Sequence, residues 1–147
     1  MVKRVTRMTG VAPVALTTVK TMIVDDNARF RELVMEYLTP HPYIEVVAQA
    51  TTGGEAIALA RALKPDLVLM DVRMPDMSGL DATRLLKAEM PAVRVIILTN
   101  YNLAAYRKAA VACGANGYVV KESMNEELWA AIEGVMQKGS QEKGQNG

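Results

Sequence analysis

The chain has 147 residues, half of them hydrophobic and 22% charged, with a formal net charge of +1. This composition belongs to one folded domain and not to a disordered chain. The near-neutral balance gives no whole-chain attraction for nucleic acid or an anionic membrane surface, and no apolar run approaches the roughly 18 residues of a membrane span.

Residues 1–18 begin basic and have a mildly apolar middle broken by Pro13 and threonines. They read as a flexible extension ahead of the first strand, not as a signal peptide. Residues 19–138 then alternate two kinds of segment. Short Val/Ile/Leu-rich runs at Lys20–Val24, Ile44–Ala48, Asp66–Met70, Val93–Leu98 and Gly117–Val120 predict strands. Several lack polar alternation, which suits strands covered on both faces.

Helical spacing fills the gaps. Phe30, Leu33, Val34, Tyr37 and Leu38 repeat at helical intervals behind a cap at Asp26 or Asn27. Weaker Ala/Leu-rich patterns cover Glu55–Leu63 and Leu80–Glu89. Tyr106, Ala109, Ala110 and Cys113 mark a fourth helix, with Gly114 at its stop, and Leu128, Ala131, Ile132, Val135 and Met136 mark a fifth. Residues 139–147 are polar and Gly-rich, a tail or the start of a linker. Cys113 is the sole cysteine, which excludes an intramolecular disulfide and fits a reducing, cytoplasmic setting.

Five β–α units in strict alternation predict an α/β fold, a doubly wound five-stranded parallel sheet in a three-layer sandwich. In such sheets, sites form beyond the carboxyl ends of the strands. The residues there are Asp25 and Asp26 after the first strand, Asp71 after the third, Thr99 at the fourth and Lys121 at the fifth. Three carboxylates brought to one edge repel one another: two unit charges ~4 Å apart interact by roughly 4 kcal/mol at a protein-like dielectric. They require cations. Lys121 is one, and a hard divalent ion such as Mg²⁺, which keeps waters and shares phosphate oxygens, is the second.

The motifs "IVDDN", "LMDVRMPDMSGL", "ILT" and "GYVVK", in this order, resemble a response-regulator receiver domain of two-component signalling over about residues 20–138. The resemblance implies a flavodoxin-like (βα)5 strand order of 2-1-3-4-5 and a phosphorylation-dependent switch without classical catalytic turnover. Asp71 would be the phosphoacceptor, fed by a sensor histidine kinase or phosphotransfer protein. At an ordinary pKa near 4 it is already ionised at neutral pH and needs no general base. Asp25, Asp26, Asp71 and the backbone carbonyl of Arg73 would hold Mg²⁺. Lys121 would pair with phosphoryl oxygens, Thr99 would donate to one of them, and Tyr118 would be the aromatic that rotates. The surface altered would be that of the fourth helix, fifth strand and fifth helix, which bind a partner or a second receiver.

Glu122 follows the lysine where many receivers have proline. Receivers joined to a four-helix DNA-binding domain often lack that proline, and "LTNYN…GANGYVVKES" resembles that subclass. The chain reads as a stand-alone receiver or the receiver half of a transcription factor, with no direct nucleic acid binding of its own. Asn100 stands where a small residue is common. By the same resemblance, Arg73 and Tyr101, two past Asp71 and Thr99, would occupy positions that tune hydrolysis of the phosphoryl group in this family, and their bulk predicts slow decay.

Two rivals carry less. An aspartate-nucleophile phosphohydrolase of the haloacid dehalogenase type needs a second aspartate two residues on, where Arg73 stands. A flavodoxin-like cofactor binder needs a flavin-cradling segment that does not stand out. His41, between prolines, is assigned no role. Gly53 and Gly54 in "TTGGEA" match no phosphate-loop spacing, and a helix start accounts for them.

Overall fold

In a computed structural model of the chain, the backbone is described at residues 4–8 and 13–145 and the side chains at residues 18–137. The terminal residues 1–3, 9–12 and 146–147 lie outside the described residues.

Two short strands, β1 (Arg4–Met8) and β2 (Pro13–Thr17), pair antiparallel in the stretch read as a flexible extension. The main sheet follows. Its strands are β3 (Val19–Val24), β4 (Ile44–Ala50), β5 (Leu67–Met70), β6 (Arg94–Thr99) and β7 (Gly117–Val120). They alternate with helices α1 (Ala28–Leu38), α2 (Gly53–Leu63), α3 (Gly79–Glu89), α4 (Ala104–Ala112) and α5 (Met124–Gln145). All pairings in the main sheet are parallel, in the order β4-β3-β5-β6-β7. Counting those five alone, this is the expected 2-1-3-4-5.

The pattern of burial follows from that order. β5 is buried along its whole length, whereas β4, at an edge, is half-exposed for most of its run. Alternate residues of each strand face opposite sides. Ile23, Leu67, Leu69, Ile96 and Leu98 pack with Val34 and Leu38 of α1 and Leu128, Ile132 and Val135 of α5. Met22, Val24, Val68, Met70, Val95 and Ile97 pack on the other side with Ala56 and Ala60 of α2, Ala82 and Leu86 of α3, and Ala110 of α4. Two helices therefore cover one face and three the other.

Local chemistry sets the boundaries. Asn27, Thr52 and Ser78 each accept a backbone N–H in the first turn of α1, α2 and α3. Asp66 stays outside β5 because its carboxylate accepts the Lys20 N–H at 2.8 Å while its own N–H donates to the Lys20 carbonyl at 2.7 Å. Gly114, at φ 93°, ends the α4 region in a left-handed turn that glycine adopts without strain. No proline interrupts residues 124–145, and α5 continues to Gln145 through most of the stretch read as a tail.

Candidate functional site

The chain order reverses at β3, which pairs with β4 on one side and β5 on the other. Such a switch point opens a crevice beyond the strand ends. Asp25 follows β3 directly, and its N–H donates to the Ala50 carbonyl at 3.0 Å. Asp71 follows β5, its N–H donating to Val24 O at 2.9 Å, so the sheet ladder itself fixes both aspartates side by side.

One carboxylate oxygen from each of Asp25, Asp26 and Asp71 lies within 4.8 Å of the others. Asp25 is 2% exposed and Asp71 7%, while Asp26 is exposed. Lys121 enters from the end of β7. Its Nζ lies 2.7 Å from Asp25 Oδ2 and 3.6 Å from Asp71 Oδ2. The same ammonium sits 4.2 Å from the centroid of the Phe30 ring, whose negative face supports the charge. Asp25 Oδ1 accepts the Asn27 N–H at 2.8 Å, and Asp71 Oδ1 accepts the Val72 N–H at 2.9 Å.

Lys121 thus favours Asp25, and Asp71 is the less compensated carboxylate. Burial pushes the Asp71 carboxyl up to about 6, and the Asp25 charge adds to the shift. Lys121 and the Val72 N–H oppose it without cancelling it. This departs from the ordinary value near 4 that the sequence reading assumed. The ionised form still dominates at pH 7 by about tenfold, so the carboxylate remains a ready nucleophile. One lysine cannot neutralise three carboxylates. An all-oxygen donor set with one ligand open to water fits a hard divalent cation that retains part of its hydration shell.

A second group of side chains stands beside the first. Thr99, the last residue of β6, is fully buried, and its hydroxyl accepts a long 3.4 Å bond from the Tyr101 N–H. The Tyr118 hydroxyl donates to the Tyr101 carbonyl at 2.6 Å, and the Arg107 guanidinium lies over the Tyr118 ring, 4.6 Å from its centroid. Tyr101 stacks on Tyr106 at 4.8 Å, and its hydroxyl accepts Arg73 Nη1 at 2.8 Å. The structure therefore gathers Asp25, Asp26, Asp71 and Lys121 in one cluster. Tyr118, Thr99 and Arg73 converge on Tyr101 instead.

Sequence reasoning missed several supports. A Cβ at Gly79 would lie 1.8 Å from the Asp71 carbonyl oxygen, so only glycine admits this approach of α3 to the site loop. Arg31 Nη1 donates to the Asp25 carbonyl at 2.7 Å, and Arg31 Nε to Gln49 at 3.0 Å. Asp76, in the loop after β5, accepts the N–H groups of Gly53 and Gly54 at 2.8 Å each, which holds its carboxyl below the usual range. The anion at the start of α2 is the protein's own side chain. "PDMSG" signals a loop but not this reach of 22–23 residues. His41 stacks on Trp129 at 3.8 Å, a packing contact.

Comparison with known proteins agrees with this geometry. The response regulator receiver domain family matches residues 21–133. The response regulator protein VraR of Staphylococcus aureus is 38% identical over 117 residues, covering 78% of this chain and 55% of the relative. The chain thus spans about half the length of the curated relatives it matches. Among solved structures, a LuxR-family two-component response regulator from Aurantimonas sp. SI85-9A1 aligns with a TM-score of 0.79 at 37% identity, covering 82% of this chain and 86% of that one. A LuxR-family DNA-binding response regulator from Staphylococcus aureus aligns at 0.74 and 28% identity, covering 80% and 98%. Among the described residues no helix is long and apolar enough to cross a membrane. With the family model matching residues 21–133 and the five strands in the order β4-β3-β5-β6-β7, the chain belongs to the response regulator receiver domains.

Proposed function

We propose that Asp71 accepts a phosphoryl group from a phosphohistidine on a sensor kinase or phosphotransfer protein. The observation that carries this is a buried carboxylate at the end of β5, flanked by two further carboxylates and a lysine 3.6 Å away. An Asp71 oxygen attacks phosphorus and the P–N bond breaks. Its electron pair returns to the imidazole, leaving an acyl phosphate on Asp71. Asp25, Asp26, Asp71 and the Arg73 carbonyl would hold Mg²⁺, which supplies charge neutralisation for the phosphoryl oxygens. Lys121, already at the cluster's inner wall, pairs with the incoming oxygens, and Asp25 retains it in position through the 2.7 Å ion pair.

Thr99 and Tyr118 act as the switch. The Thr99 hydroxyl donates to a phosphoryl oxygen, and the loop carrying Tyr101, whose N–H that hydroxyl accepts, moves with it. Because Tyr118 is anchored to the Tyr101 carbonyl, that movement reaches the α4–β7–α5 face, which contacts an output domain or a second receiver. Arg73 and Tyr101, joined across the mouth of the site, screen water from the acyl phosphate, and hydrolysis by the protein itself is slow. DNA-binding output belongs to regulators such as the LuxR-family relatives; by the same reading, this chain is the receiver part and makes no nucleic acid contact.

The site is tested by incubating the protein with acetyl phosphate and Mg²⁺, reducing with borohydride and mapping peptides. Reduction of an acyl phosphate converts the aspartate to homoserine. Homoserine at position 71 supports the assignment; homoserine at 25 or 26, or none, contradicts it.

A further inference from the structure

The loop after β5 carries Asp71 and Arg73, and its far tip is tied to a different element. We propose that Asp76 is a positioning residue for the cation site: its carboxylate clasps that loop to the start of α2 and so holds the Asp71–Arg73 segment ready for a divalent ion. This rests on the reading of Asp71 as acceptor and of the acidic cluster as the place where Mg²⁺ is held.

Three observations carry it. First, the clasp uses both carboxylate oxygens and spans 22–23 residues of chain. Asp76 Oδ1 accepts the Gly53 N–H and Oδ2 the Gly54 N–H, each at 2.8 Å. Oδ1 also accepts the Met77 N–H at 2.8 Å, which fixes the carboxylate from its own loop as well. Charge-assisted bonds at the positive end of a helix are among the strong ones.

Second, α2 has a cap without Asp76. Thr52 accepts the Glu55 N–H at 3.1 Å, and Glu55 Oε1 accepts the Thr51 N–H at 2.7 Å, a reciprocal local cap. Gly54 is exposed, where water satisfies a first-turn N–H with no distant partner. What the long reach of Asp76 adds is the position of the loop. The start of α2 is shaped to receive it. Glycine is a poor helix former, yet a Cβ at Gly53 would collide with Met77 Cγ, and one at Gly54 would lie 3.2 Å from Asp76 Oδ2.

Third, both ends of the clasp lead to the cluster. Thr51 and Thr52 join α2 to β4, and Ala50, the last residue of β4, accepts the Asp25 N–H at 3.0 Å. On the other side the Gly79 N–H donates to the Val72 carbonyl at 2.7 Å, closing the base of the loop beside Asp71. That bond fixes the base and Asp76 fixes the tip. Without Asp76 the ion must order the loop as it binds, and ordering backbone costs free energy. The cost falls on Mg²⁺ affinity and not on the reaction once the ion is held.

The experiment uses Mg²⁺ itself as the probe on the full chain. It compares wild type, Asp76→Ala, the milder Asp76→Asn, and Thr52→Ala, which weakens the same helix start without touching the loop. The rise of melting temperature with Mg²⁺ gives affinity with no phosphodonor present. The rate of labelling by acetyl phosphate against Mg²⁺ gives a half-saturating concentration and a maximum. Positioning predicts that Asp76→Ala weakens Mg²⁺ binding about tenfold, the low end for groups that orient a metal's ligands, with a maximum rate within about twofold of wild type. Asp76→Asn falls between, and Thr52→Ala melts lower but keeps the wild-type affinity. Unchanged affinity in Asp76→Ala overturns the proposal. So does an equal loss in Thr52→Ala, since Asp76 then only stabilises α2, and so does a maximum rate that stays low at saturating Mg²⁺. A wild type that binds Mg²⁺ but takes no phosphoryl group overturns the acceptor reading alone, because the melting shifts still decide the clasp. A wild type whose melting is indifferent to Mg²⁺ overturns both.

Discussion

Arg73 Nη1 donates to the Tyr101 hydroxyl at 2.8 Å, which links the loop after β5 to the loop after β6. Arg73 is two residues past the proposed phosphoacceptor and Tyr101 two past Thr99. The two side chains therefore bridge the segments that must accommodate a phosphoryl group. If the bridge screens water, Arg73→Ala and Tyr101→Phe each shorten the lifetime of the acyl phosphate, by about tenfold or ~1.4 kcal/mol of barrier. The double variant decays no faster than the faster single one, because both remove the same bond. Decay is followed by intact mass after removal of the phosphodonor. A wild-type half-life of seconds, or additive effects, contradicts this role.

Asp71 makes stability depend on pH in a defined direction. Its folded-state value of about 6 lies above the unfolded value of ~3.9, so the folded state binds the proton more tightly. In metal-free protein this group's contribution to stability rises as pH falls from 7 through 6 toward 4, and is lost as pH rises. Asp71→Asn removes the penalty. In EDTA at pH 7.5 it should be more stable than wild type by on the order of 1–2 kcal/mol, allowing for solvent at the open side of the cluster. The gap narrows toward pH 5. Thermal melts at the two pH values decide it; a variant less stable at pH 7.5 disagrees.

Lys121 holds the buried carboxylates together. Lys121→Met leaves Asp25 without its 2.7 Å partner, and breaking a buried pair by removing one member costs ~3–5 kcal/mol. Mg²⁺ should restore part of the loss, because a divalent cation relieves the same repulsion. Melting with and without Mg²⁺ gives a larger metal-induced shift in the variant than in the wild type. An equal shift places the bound cation away from these carboxylates.

Gly79 permits the close approach of α3 to the site loop. A methyl group there meets the Asp71 carbonyl at 1.8 Å, with Asp71 C at 2.8 Å, and backbone cannot yield cheaply. Gly79→Ala is predicted to cost several kcal/mol, in the range of severe point changes, and to slow phosphorylation by displacing Asp71. Near-wild-type melting and modification rates are the contrary result.

The layers were legible because central parallel strands carry uninterrupted apolar runs, such as Leu67–Met70, that end on charged residues, whereas the strand order came only with the motifs' resemblance to receiver domains. Asp25, Asp71 and Lys121 were legible for the same reason: each is the first charged residue after a strand. What was hidden is pairing across loops. Nothing local in "PDMSG" says that Asp76 caps α2, that Gly79 lies against the Asp71 carbonyl, or that Tyr101 takes its hydroxyl to Arg73. The pKa of Asp71 was equally out of reach, since it depends on Lys121 choosing Asp25 at 2.7 Å over Asp71 at 3.6 Å. The terminal segments differ for a third reason. Polar, glycine-bearing sequence without proline reads as tail, yet α5 extends through it to Gln145.

The central claim is that this cluster makes Asp71 a metal-dependent phosphoacceptor. Intact-mass spectrometry after incubation with acetyl phosphate measures it most directly, on wild type with Mg²⁺, wild type with EDTA, and Asp71→Asn with Mg²⁺. The account predicts one added phosphoryl group on the first sample alone. An adduct of equal extent on Asp71→Asn, or one indifferent to EDTA, would contradict it.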